Sequence, residues 1–434
     1  MFVLNTILIF TAALILVPVL VFSLECLLSV MLVHWSRSTK PENHQPQVAV
    51  LIPAHNEQAV IEQTLQALLP TLSADDRVVV IADNCTDNTA LLARALGAEV
   101  VERYDDENRG KAFALQAGIQ FLSASPPDVV VVLDADCKVE NNLVSRISTL
   151  AFQTSRPVQG RNLSVAESNT ESLHAVSELG FRFKNLVRPL GSARLGFPCH
   201  LMGTGMAIPW QLLQKTSLAA DHLAEDMQFG IDLAIEGHPT LFCPEVGITS
   251  QLPQDKRAFL NQRTRWEQGH LRTSITQTPR LLVHGLLRCR PSLLFLGLDL
   301  TVPPLSLLIL GWTFALGFMT LTALLGASWV PVVMLLAGGT VMVCATLAGW
   351  FTFCRKAVPF KSLMAIPGYI FRKLPIYVSY FTGRKQTEWI RTQRDEEIDF
   401  LNPVETSQPE FESPSRGELT NSNGMMTVSG RTQS

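Results

Sequence analysis

The stretch 129–136, which reads Val-Val-Val-Val-Leu-Asp-Ala-Asp, constrains the fold of this chain most. Its five consecutive apolar residues, four of them β-branched, predict a strand that is buried on both faces of a parallel sheet. Ligands of open α/β sheets bind at the carboxyl ends of such strands, where Asp134 and Asp136 stand. In an extended segment these two side chains point the same way and suit one hard cation, Mg²⁺ or Mn²⁺, although two solvated turn carboxylates would give the same pattern.

The sequence around this stretch alternates between the periods of strands and helices. The pattern predicts strands over 48–52, 77–82, 99–103 and 129–133, and helices over 57–69, 89–96 and 109–122. Such alternation is typical of an α/β fold whose parallel sheet is covered by helices and whose loops collect at one edge. Beyond about residue 160 the pattern loosens, and it predicts helices over 172–190, 218–235 and 257–273. The glycine-rich segment 195–206 between them is typical either of a loop close to a ligand or the membrane or of a plain buried turn.

Two uncharged stretches lie toward the ends of the chain. Residues 1–24 contain no charged side chain, and residues 291–354 contain only Asp299. Because about 20 apolar residues span a bilayer, the first stretch predicts one transmembrane helix and the second a hairpin of two. A cleaved signal peptide is the alternative for the first, but no Lys or Arg precedes its apolar run.

The basic residues flanking these stretches predict an orientation. Positive charges follow the first stretch and bracket the second, at Arg37, Lys40, Arg288, Arg290, Arg355 and Lys356. The positive-inside rule therefore places the region between the stretches in the cytosol. We expect an anchor over 1–35, a cytosolic domain over 36–290, a hairpin over 291–356, an interfacial segment over 357–401 and a disordered tail over 402–434.

Composition excludes some classes of partner and site. The net charge is −3, and no basic tract with interleaved aromatic residues is present, so we expect no nucleic acid partner. The eight cysteines contain no C-x-x-C pair and predict reduced packing residues rather than disulfides or zinc ligands. We interpret His55, His200 and His270 as hydrogen-bonding residues rather than metal ligands.

Four loops should meet at the carboxyl edge of the sheet. They carry Glu57, Asp83, Lys111 and the Asp134/Asp136 pair. Carboxylates with a Gly-Lys at one edge suit a nucleotide diphosphate, because the acidic groups can bind the base, ribose and metal and the cation can bind phosphate. A dinucleotide fold would show G-x-G-x-x-G after the first strand and a P-loop a glycine at position 105, and neither is present. A solvated lysine at a helix start is the alternative for Lys111.

The order of these motifs resembles the membrane-bound, inverting family-two glycosyltransferases, which include cellulose, hyaluronan and chitin synthases. The resemblance covers residues 47 to about 272 and includes Ala-Glu-Asp at 224–226 and Gln-Arg-Thr-Arg-Trp at 262–266. It implies a GT-A-type, Rossmann-like nucleotide-sugar domain inserted between transmembrane helices. Two positions depart from the family's pattern, because Ala82 replaces the first of two paired aspartates and Ala224 replaces a threonine that often precedes Glu-Asp.

The resemblance implies roles for residues of the donor site. Glu57 and Asp83 would hold the uridine, and Lys111 would lie in the nucleotide loop. Asp134 and Asp136 would contact the diphosphate and its Mg²⁺ or Mn²⁺.

It also implies the catalytic and acceptor residues. Asp226 would be the general base, although Glu225 beside it remains an alternative. Gln262 and Arg265 would contact the diphosphate, and Trp266 would line the acceptor site. Packing in the core or at a membrane interface is the more common role of such a tryptophan.

From these observations we expect a multi-pass enzyme of the bacterial inner membrane that transfers a sugar from a UDP-sugar. Its acceptor would be a growing polysaccharide, with export partners in the envelope, or a lipid-linked acceptor. Single-sugar transfer to a glycolipid is one alternative, and an inactive membrane scaffold is another.

Overall fold

The computed structural model describes residues 1–31, 45–166, 172–215, 224–252 and 255–382. Its strands are β1 Val48–Ala54, β2 Arg77–Asp83, β3 Glu99–Arg103, β4 Val129–Val132, β5 Lys138–Val139, β6 Val158–Val165, β7 Met206–Pro209 and β8 Leu241–Gln251. The helices of the first part are α1 Phe2–Val30, α2 Ile61–Leu68, α3 Thr89–Ala95, α4 Lys111–Leu122, α5 Leu143–Thr154, α6 Ser172–Arg182, α7 Arg188–Arg194, α8 Trp210–Lys215 and α9 Glu225–Glu236. The remaining helices are α10 Lys256–Leu287, α11 Pro291–Leu300, α12 Leu305–Leu324, α13 Val330–Gly349, α14 Phe360–Leu363 and α15 Ile366–Phe381, with a 3₁₀ turn at Leu69–Thr71 and π-helical turns at Phe183–Val187 and Trp350–Cys354.

The eight strands form one sheet in the order β3-β2-β1-β4-β7-β6-β8-β5. The four strands predicted from the alternating pattern are parallel to one another, as expected. The second half is mixed, because β7 runs antiparallel to both β4 and β6 while β6 and β8 are parallel. The predicted α/β fold is confirmed, and the antiparallel insertion is a feature that the looser pattern after residue 160 did not predict.

Both faces of the sheet are buried, which explains the continuous apolar runs. Along β1, Val48, Val50 and Ile52 face one hydrophobic cluster, whereas Ala49 and Leu51 face another. The first cluster is completed by α2 and α5 and the second by α4 and α9. Because helices cover both faces of the sheet, a ligand can reach the sheet only at the loops that follow the strand ends.

Three helices are long and apolar enough to cross a membrane: Phe2–Val30, Leu305–Leu324 and Val330–Cys354. They pack together around a third cluster that contains Phe22, Leu335 and Met342. The stretch 291–304, expected as part of the hairpin, forms the shorter apolar helix α11 and a turn before the first hairpin helix.

The segment 357–401 is described as far as residue 382, and there it forms α14 and α15. Helix α15 exposes Phe371 and Val378 on one side and buries Tyr377 on the other, where Tyr377 bonds Ser306 of α12 at 2.5 Å. The predicted tail 402–434 lies outside the described residues, as do Arg37 and Lys40.

Helix boundaries differ from the predictions at three places. Helix α2 begins at Ile61 rather than at 57, and α10 continues to Leu287, well beyond 273. Of the helix expected over 218–235, residues 224–235 are described, and α9 begins there at Glu225.

Candidate active site

One cavity of about 1110 Å³ lies at the carboxyl edge of the sheet. Its lining includes all ten residues predicted for the site: Glu57, Asp83, Lys111, Asp134, Asp136, Glu225, Asp226, Gln262, Arg265 and Trp266. Pockets for one small ligand usually measure about 300–1,000 Å³, so this cavity has room for more than one. The fold therefore brings together residues up to about half the chain length apart, because parallel strands deliver their loops to one edge.

Asp83 is held in place by two neighbouring elements. Its carboxylate accepts a hydrogen bond from Arg103 Nη1 at 2.7 Å, and its carbonyl accepts one from His55 Nδ1 at 2.7 Å. Only 6% of Asp83 is exposed. Sequence reasoning missed Arg103, although it ends β3 directly opposite Asp83 in the parallel register.

Lys111 connects the first turn of α4 to two other loops. Its ammonium group is bonded to the carboxylate of Asp134 and donates to the carbonyl of Gly203 at 2.8 Å. Burial opposes the charge on Lys111, but the carboxylates of Asp134, Glu225 and Asp226 outweigh it and raise the lysine's pKa. Lys111 is therefore a fixed cation of the site and not the solvated helix-start lysine of the alternative interpretation.

The glycine-rich segment 195–206 forms one wall of this site. Thr204 Oγ1 accepts the backbone N–H of Asp134 at 3.0 Å. A Cβ on Gly203, whose φ is +84°, would lie 3.1 Å from Asp226 Oδ2 and 3.7 Å from Lys111 Nζ. The segment is thus a site loop rather than a plain turn, and glycine is needed where its backbone passes between these two charged groups.

Asp134 and Asp136 form the candidate metal site with Cys137. Within the described part of the chain, these three are the His, Cys, Asp or Glu side chains whose ligand atoms lie close enough to share an ion, within 4.8 Å of one another. The Cys137 sulfur is a soft donor, which suits Zn²⁺ or Cu⁺ better than a hard cation. The remaining donors are carboxylate oxygens, which fit a hard cation such as Mg²⁺ or Mn²⁺.

Glu225 and Asp226 begin helix α9 and are both half-buried at the cavity. Burial raises the pKa of both carboxyl groups, and for Glu225 the neighbouring Asp226 adds to the effect. Lys111 opposes the shift in both. A carboxylate with a raised pKa inside a cavity is suited to accept a proton.

Helix α10 contributes Gln262, Arg265 and Trp266, which share a face because they are three and four residues apart. Gln262 Oε1 is buried without a hydrogen-bond partner. Burial lowers the pKa of Arg265, although the negative charges of Glu225 and Asp134 act in the opposite direction. The Trp266 ring packs on Phe181 with centroids 5.4 Å apart. Trp266 is therefore a packing residue and a lining residue of the cavity at once.

Further charged residues of the cavity were not predicted from the sequence. Arg263 is 7% exposed and lies over the rings of Phe181, Phe259 and Trp266. Lys184 also lines the cavity, from the π-helical turn between α6 and α7. The only sign of Lys184 in the sequence is that residues 182–188 of an amphipathic helix contain several Arg and Lys residues. This pattern alone does not show which of these side chains face the cavity.

Each of the three histidines lies close to a polar group of another residue. His55 bonds Asp83, and His270 Nε2 lies 3.1 Å from the carbonyl of Val302. His200 Nε2 lies 2.9 Å from Asp299 Oδ2. Six of the eight cysteines, all but Cys289 and Cys344, are buried.

Comparison with known proteins identifies the family. The model of the family described as "Glycosyltransferase like family 2" matches residues 46–269, which is more than half of the chain. The chain belongs to this family. The match ends close to Trp266 and thus covers every predicted site residue of this family-2 domain.

Individual relatives of this family-2 chain are distant. It is 28% identical over 240 residues to "Probable glycosyltransferase YdaM" of Bacillus subtilis, which covers 52% of this chain and 55% of the relative. It is 25% identical over 245 residues to "Probable glucomannan 4-beta-mannosyltransferase 11" of Arabidopsis thaliana, which covers 52% and 53%. It is also 28% identical over 241 residues to "Beta-monoglucosyldiacylglycerol synthase" of Synechocystis, which covers 52% and 48%. The chain thus spans about half the length of the curated relatives it matches.

A solved structure shares the fold over most of this family-2 chain. It is "Mannosyltransferase PcManGT from Pyrobaculum calidifontis in complex with GDP-Man and Mn2+", with a TM-score of 0.54 and 18% identity. The match covers 88% of this chain and 100% of that one. At this identity the likeness shows the fold alone, and it extends the shared architecture beyond the family-2 domain.

Proposed function

We propose that this chain is a membrane-embedded, metal-dependent, inverting glycosyltransferase that moves a hexose from a UDP-sugar to an acceptor. The observation that carries the proposal is the single cavity in which Asp134 and Asp136, Lys111 and Asp226 meet. Membership of family 2 supports a transferase. The printed names of all three relatives described above specify a glycosyltransferase or a glycolipid synthase.

Asp134 and Asp136 would hold the divalent cation. When bound, that cation would supply Lewis-acid stabilisation of the negative charge that develops on the departing diphosphate. Lys111 and Arg265 are the protein's own cations at this end of the cavity, and the charge of Asp134 acts on both. Preorganised cations of this kind stabilise a leaving diphosphate without reorganising during the reaction.

Asp226 would accept the proton of the acceptor hydroxyl. It lies next to Gly203 and Lys111, which places it at the border of the donor end. A single displacement by that hydroxyl, with its proton passing to Asp226 and the diphosphate leaving from the opposite face, inverts the anomeric carbon. Glu225 remains the alternative base, because burial raises its pKa in the same way.

Three candidate spans support a place in a membrane. Arg288 and Arg290 lie between the family-2 domain and the hairpin, and both donate to the carbonyl of Ile235. With Arg355 after the last span, they favour a cytosolic domain by the positive-inside rule. We propose the bacterial inner membrane, with the donor supplied from the cytosol.

The acceptor is a lipid-linked acceptor or a growing polysaccharide in this proposal. The cavity lining reaches Phe22, Ile309 and Thr346 of the three candidate spans, which favours an acceptor that approaches from the membrane. The glucomannan mannosyltransferase among the relatives favours a polymer, and the diacylglycerol glycolipid synthase favours single transfer. Product size separates them, because a ladder indicates processive synthesis and one added sugar indicates a glycolipid enzyme.

Turnover by the purified full chain with UDP-hexoses and Mn²⁺ or Mg²⁺ tests the proposal. We expect nucleotide release that is abolished by chelation and reduced by Asp136→Asn and Asp226→Asn. Asp232→Asn is the matched control, because Asp232 lies on the same helix as Asp226 but pairs with Arg280 outside the cavity. No turnover with any UDP- or GDP-sugar, from protein that is folded, would instead support the inactive scaffold.

A further inference from the structure

The cavity has a second charged region beyond Asp226, away from the candidate metal site. The charges that act on Lys111 and Arg265 include Asp134, which marks the donor end. Those acting on Lys184 come instead from Asp226, Arg188, Arg263 and Glu267. Asp226 therefore interacts electrostatically both with Lys111 of the donor end and with Lys184, which is close to Arg263.

Lys184 and Arg263 are cations without a carboxylate partner. Within the part of the chain that the structure describes, neither forms an ion pair, whereas Arg188 is paired with Glu25 and Asp299, and Glu267 is bonded to Lys373. Lys184 is enclosed by protein, and burial lowers its pKa, yet its side chain remains solvent-accessible from the cavity. Two neighbouring cations that line one cavity and form no ion pair favour an anionic ligand.

Arg263 is an independent sign of a ligand. It is 93% buried, and its Nε and Nη2 atoms make no hydrogen bond. The centroids of the Phe181, Phe259 and Trp266 rings lie 5.2 to 5.6 Å from the central carbon of its guanidinium. The rings do not provide the oxygen acceptors that Nε and Nη2 lack. A buried guanidinium without acceptors is costly, and phosphate oxygens match its donor geometry.

The same region opens toward apolar side chains of the candidate spans and of α15. Phe22, Ile309 and Ile366 line the cavity there. An acceptor with an anionic head and an apolar body would satisfy the cations and the apolar wall together. A neutral sugar chain would leave both Lys184 and Arg263 without an ion-pair partner.

We propose that Lys184 and Arg263 form an acceptor subsite for a phosphate-bearing lipid headgroup, in the same cavity as Asp226. The inference rests on the proposed function, because it assigns the acceptor class of the same cavity. The π-helical turn at Phe183–Val187 is the element that presents Lys184, and such turns occur frequently at functional sites.

Three probes isolate the recognised chemistry, with binding measured by calorimetry on the full chain in micelles of a non-ionic polyoxyethylene detergent, which contains neither phosphate nor sugar. Dioctanoyl phosphatidic acid carries a phosphate and acyl chains, dioctanoylglycerol has the same chains without the phosphate, and glycerol 3-phosphate has the phosphate without the chains. We expect phosphatidic acid to bind at least about tenfold more tightly than either other probe. Lys184→Gln and Arg263→Gln should each weaken that binding by about tenfold and leave dioctanoylglycerol unaffected.

Matched variants guard against misfolding. Lys184→Arg and Arg263→Lys keep the charge and should retain most of the binding. Arg280→Gln removes a cation from the same helix at a half-exposed ion pair and should change nothing. Equal binding of the two lipids, or phosphatidic acid binding that survives Lys184→Gln and Arg263→Gln, would overturn the subsite.

Two further outcomes also contradict the proposal. Tight binding of glycerol 3-phosphate with the same dependence on Lys184 would make the ligand a soluble phosphate and not a lipid. If Lys184→Gln changes only the pH dependence of turnover and leaves phosphatidic acid binding unchanged, Lys184 sets the pKa of Asp226 and does not bind the acceptor. The binding assay needs no turnover, so failure of the transferase proposal and failure of this subsite are separately visible.

Discussion

The ammonium group of Lys111, at the first turn of α4, is bonded to the carboxylate of Asp134, which follows β4. The two residues are 23 positions apart in the chain. They meet because β1 pairs with β4 in parallel and the loop before α4 lies at the same edge of the sheet. This pair links the lysine of the nucleotide loop to the candidate metal site.

Replacing Lys111 should weaken donor use. Lys111→Met removes a cation bonded to Asp134 and Gly203, and hydrogen bonds to charged groups contribute about 1.5–3 kcal/mol, so we expect kcat/KM for the donor to fall roughly 10- to 150-fold. Steady-state kinetics with a varied UDP-sugar measure this. Arg94→Met is the control, because Arg94 pairs with Glu102 at the surface and does not line the cavity. An equal loss in both variants would contradict a specific role for Lys111.

The identity of the base can be decided between two adjacent carboxyl groups. We expect Asp226→Asn to lower kcat by about 10²–10⁴-fold, the usual contribution of a general base, and Glu225→Gln to lower it less. The reason is that a carboxylate oxygen of Asp226 lies beside Gly203, close to the ammonium group of Lys111. Single-turnover rates with bound nucleotide measure the chemical step. The reverse order of effects would make Glu225 the base.

The acid limb of the pH–rate profile should report Asp226. Burial raises the pKa of Asp226 above its usual 3.8, and a base works only when it is deprotonated, so activity should fall with decreasing pH at a higher pH than an ordinary aspartate would give. The charge of Lys184 lowers the pKa of Asp226. Lys184→Gln should therefore move the acid limb to higher pH. Measuring kcat/KM against pH in both proteins tests this, and a shift to lower pH would contradict the assignment.

A buried ion pair joins the first candidate span to the family-2 domain. Arg188 Nε donates to Glu25 at 2.6 Å, and Glu25 is fully buried within α1. Removal of one partner from such a pair costs about 3–5 kcal/mol because it leaves a buried charge uncompensated. Arg188→Met should therefore lower the Tm of the purified protein strongly. Arg77→Met, which breaks the half-exposed pair with Glu99, should cost about 0–1 kcal/mol. Similar Tm values for the two variants would contradict the role of the buried pair.

Helices α1 and α7, which contain Glu25 and Arg188, approach each other so closely that one position of α7 requires glycine. A Cβ on Gly191 of α7 would overlap the backbone carbonyl of Glu25, which cannot move as a side chain can. We expect Gly191→Ala to destabilise the protein by about 1–3 kcal/mol or more, as measured by thermal unfolding. Gly180→Ala is the matched control, because nothing lies within 4 Å of a Cβ there, and it should be neutral or stabilising.

Much of the site could be predicted from the sequence, because it depends on local patterns. The β-branched run before Asp134 predicts a buried strand, and the alternation of strands and helices predicts that the residues after β1, β2 and β4 meet at one edge. The three long apolar helices follow from hydropathy alone. The structure supports each of these predictions because the strand, helix and hydropathy patterns that carry them are contained in short segments of chain.

Other parts of the site could not be predicted, because they depend on contacts between distant segments. Gly203 reaches Lys111 across 92 residues only because β7 inserts antiparallel beside β4. The pairing of Asp83 with Arg103 required the register of β2 with β3.

The sequence by itself determined the α/β architecture of the domain, the apolar helices and the ten residues that line its carboxyl edge. Only the tertiary structure decided which charges are compensated and which are not. Glu25 and Asp299, isolated charges within apolar stretches, are both paired with Arg188, whereas Lys184 and Arg263 have no carboxylate partner among the described residues. The physical reason is that a charge buried on one helix is stabilised or left uncompensated by side chains from other elements, and a linear pattern does not contain their positions.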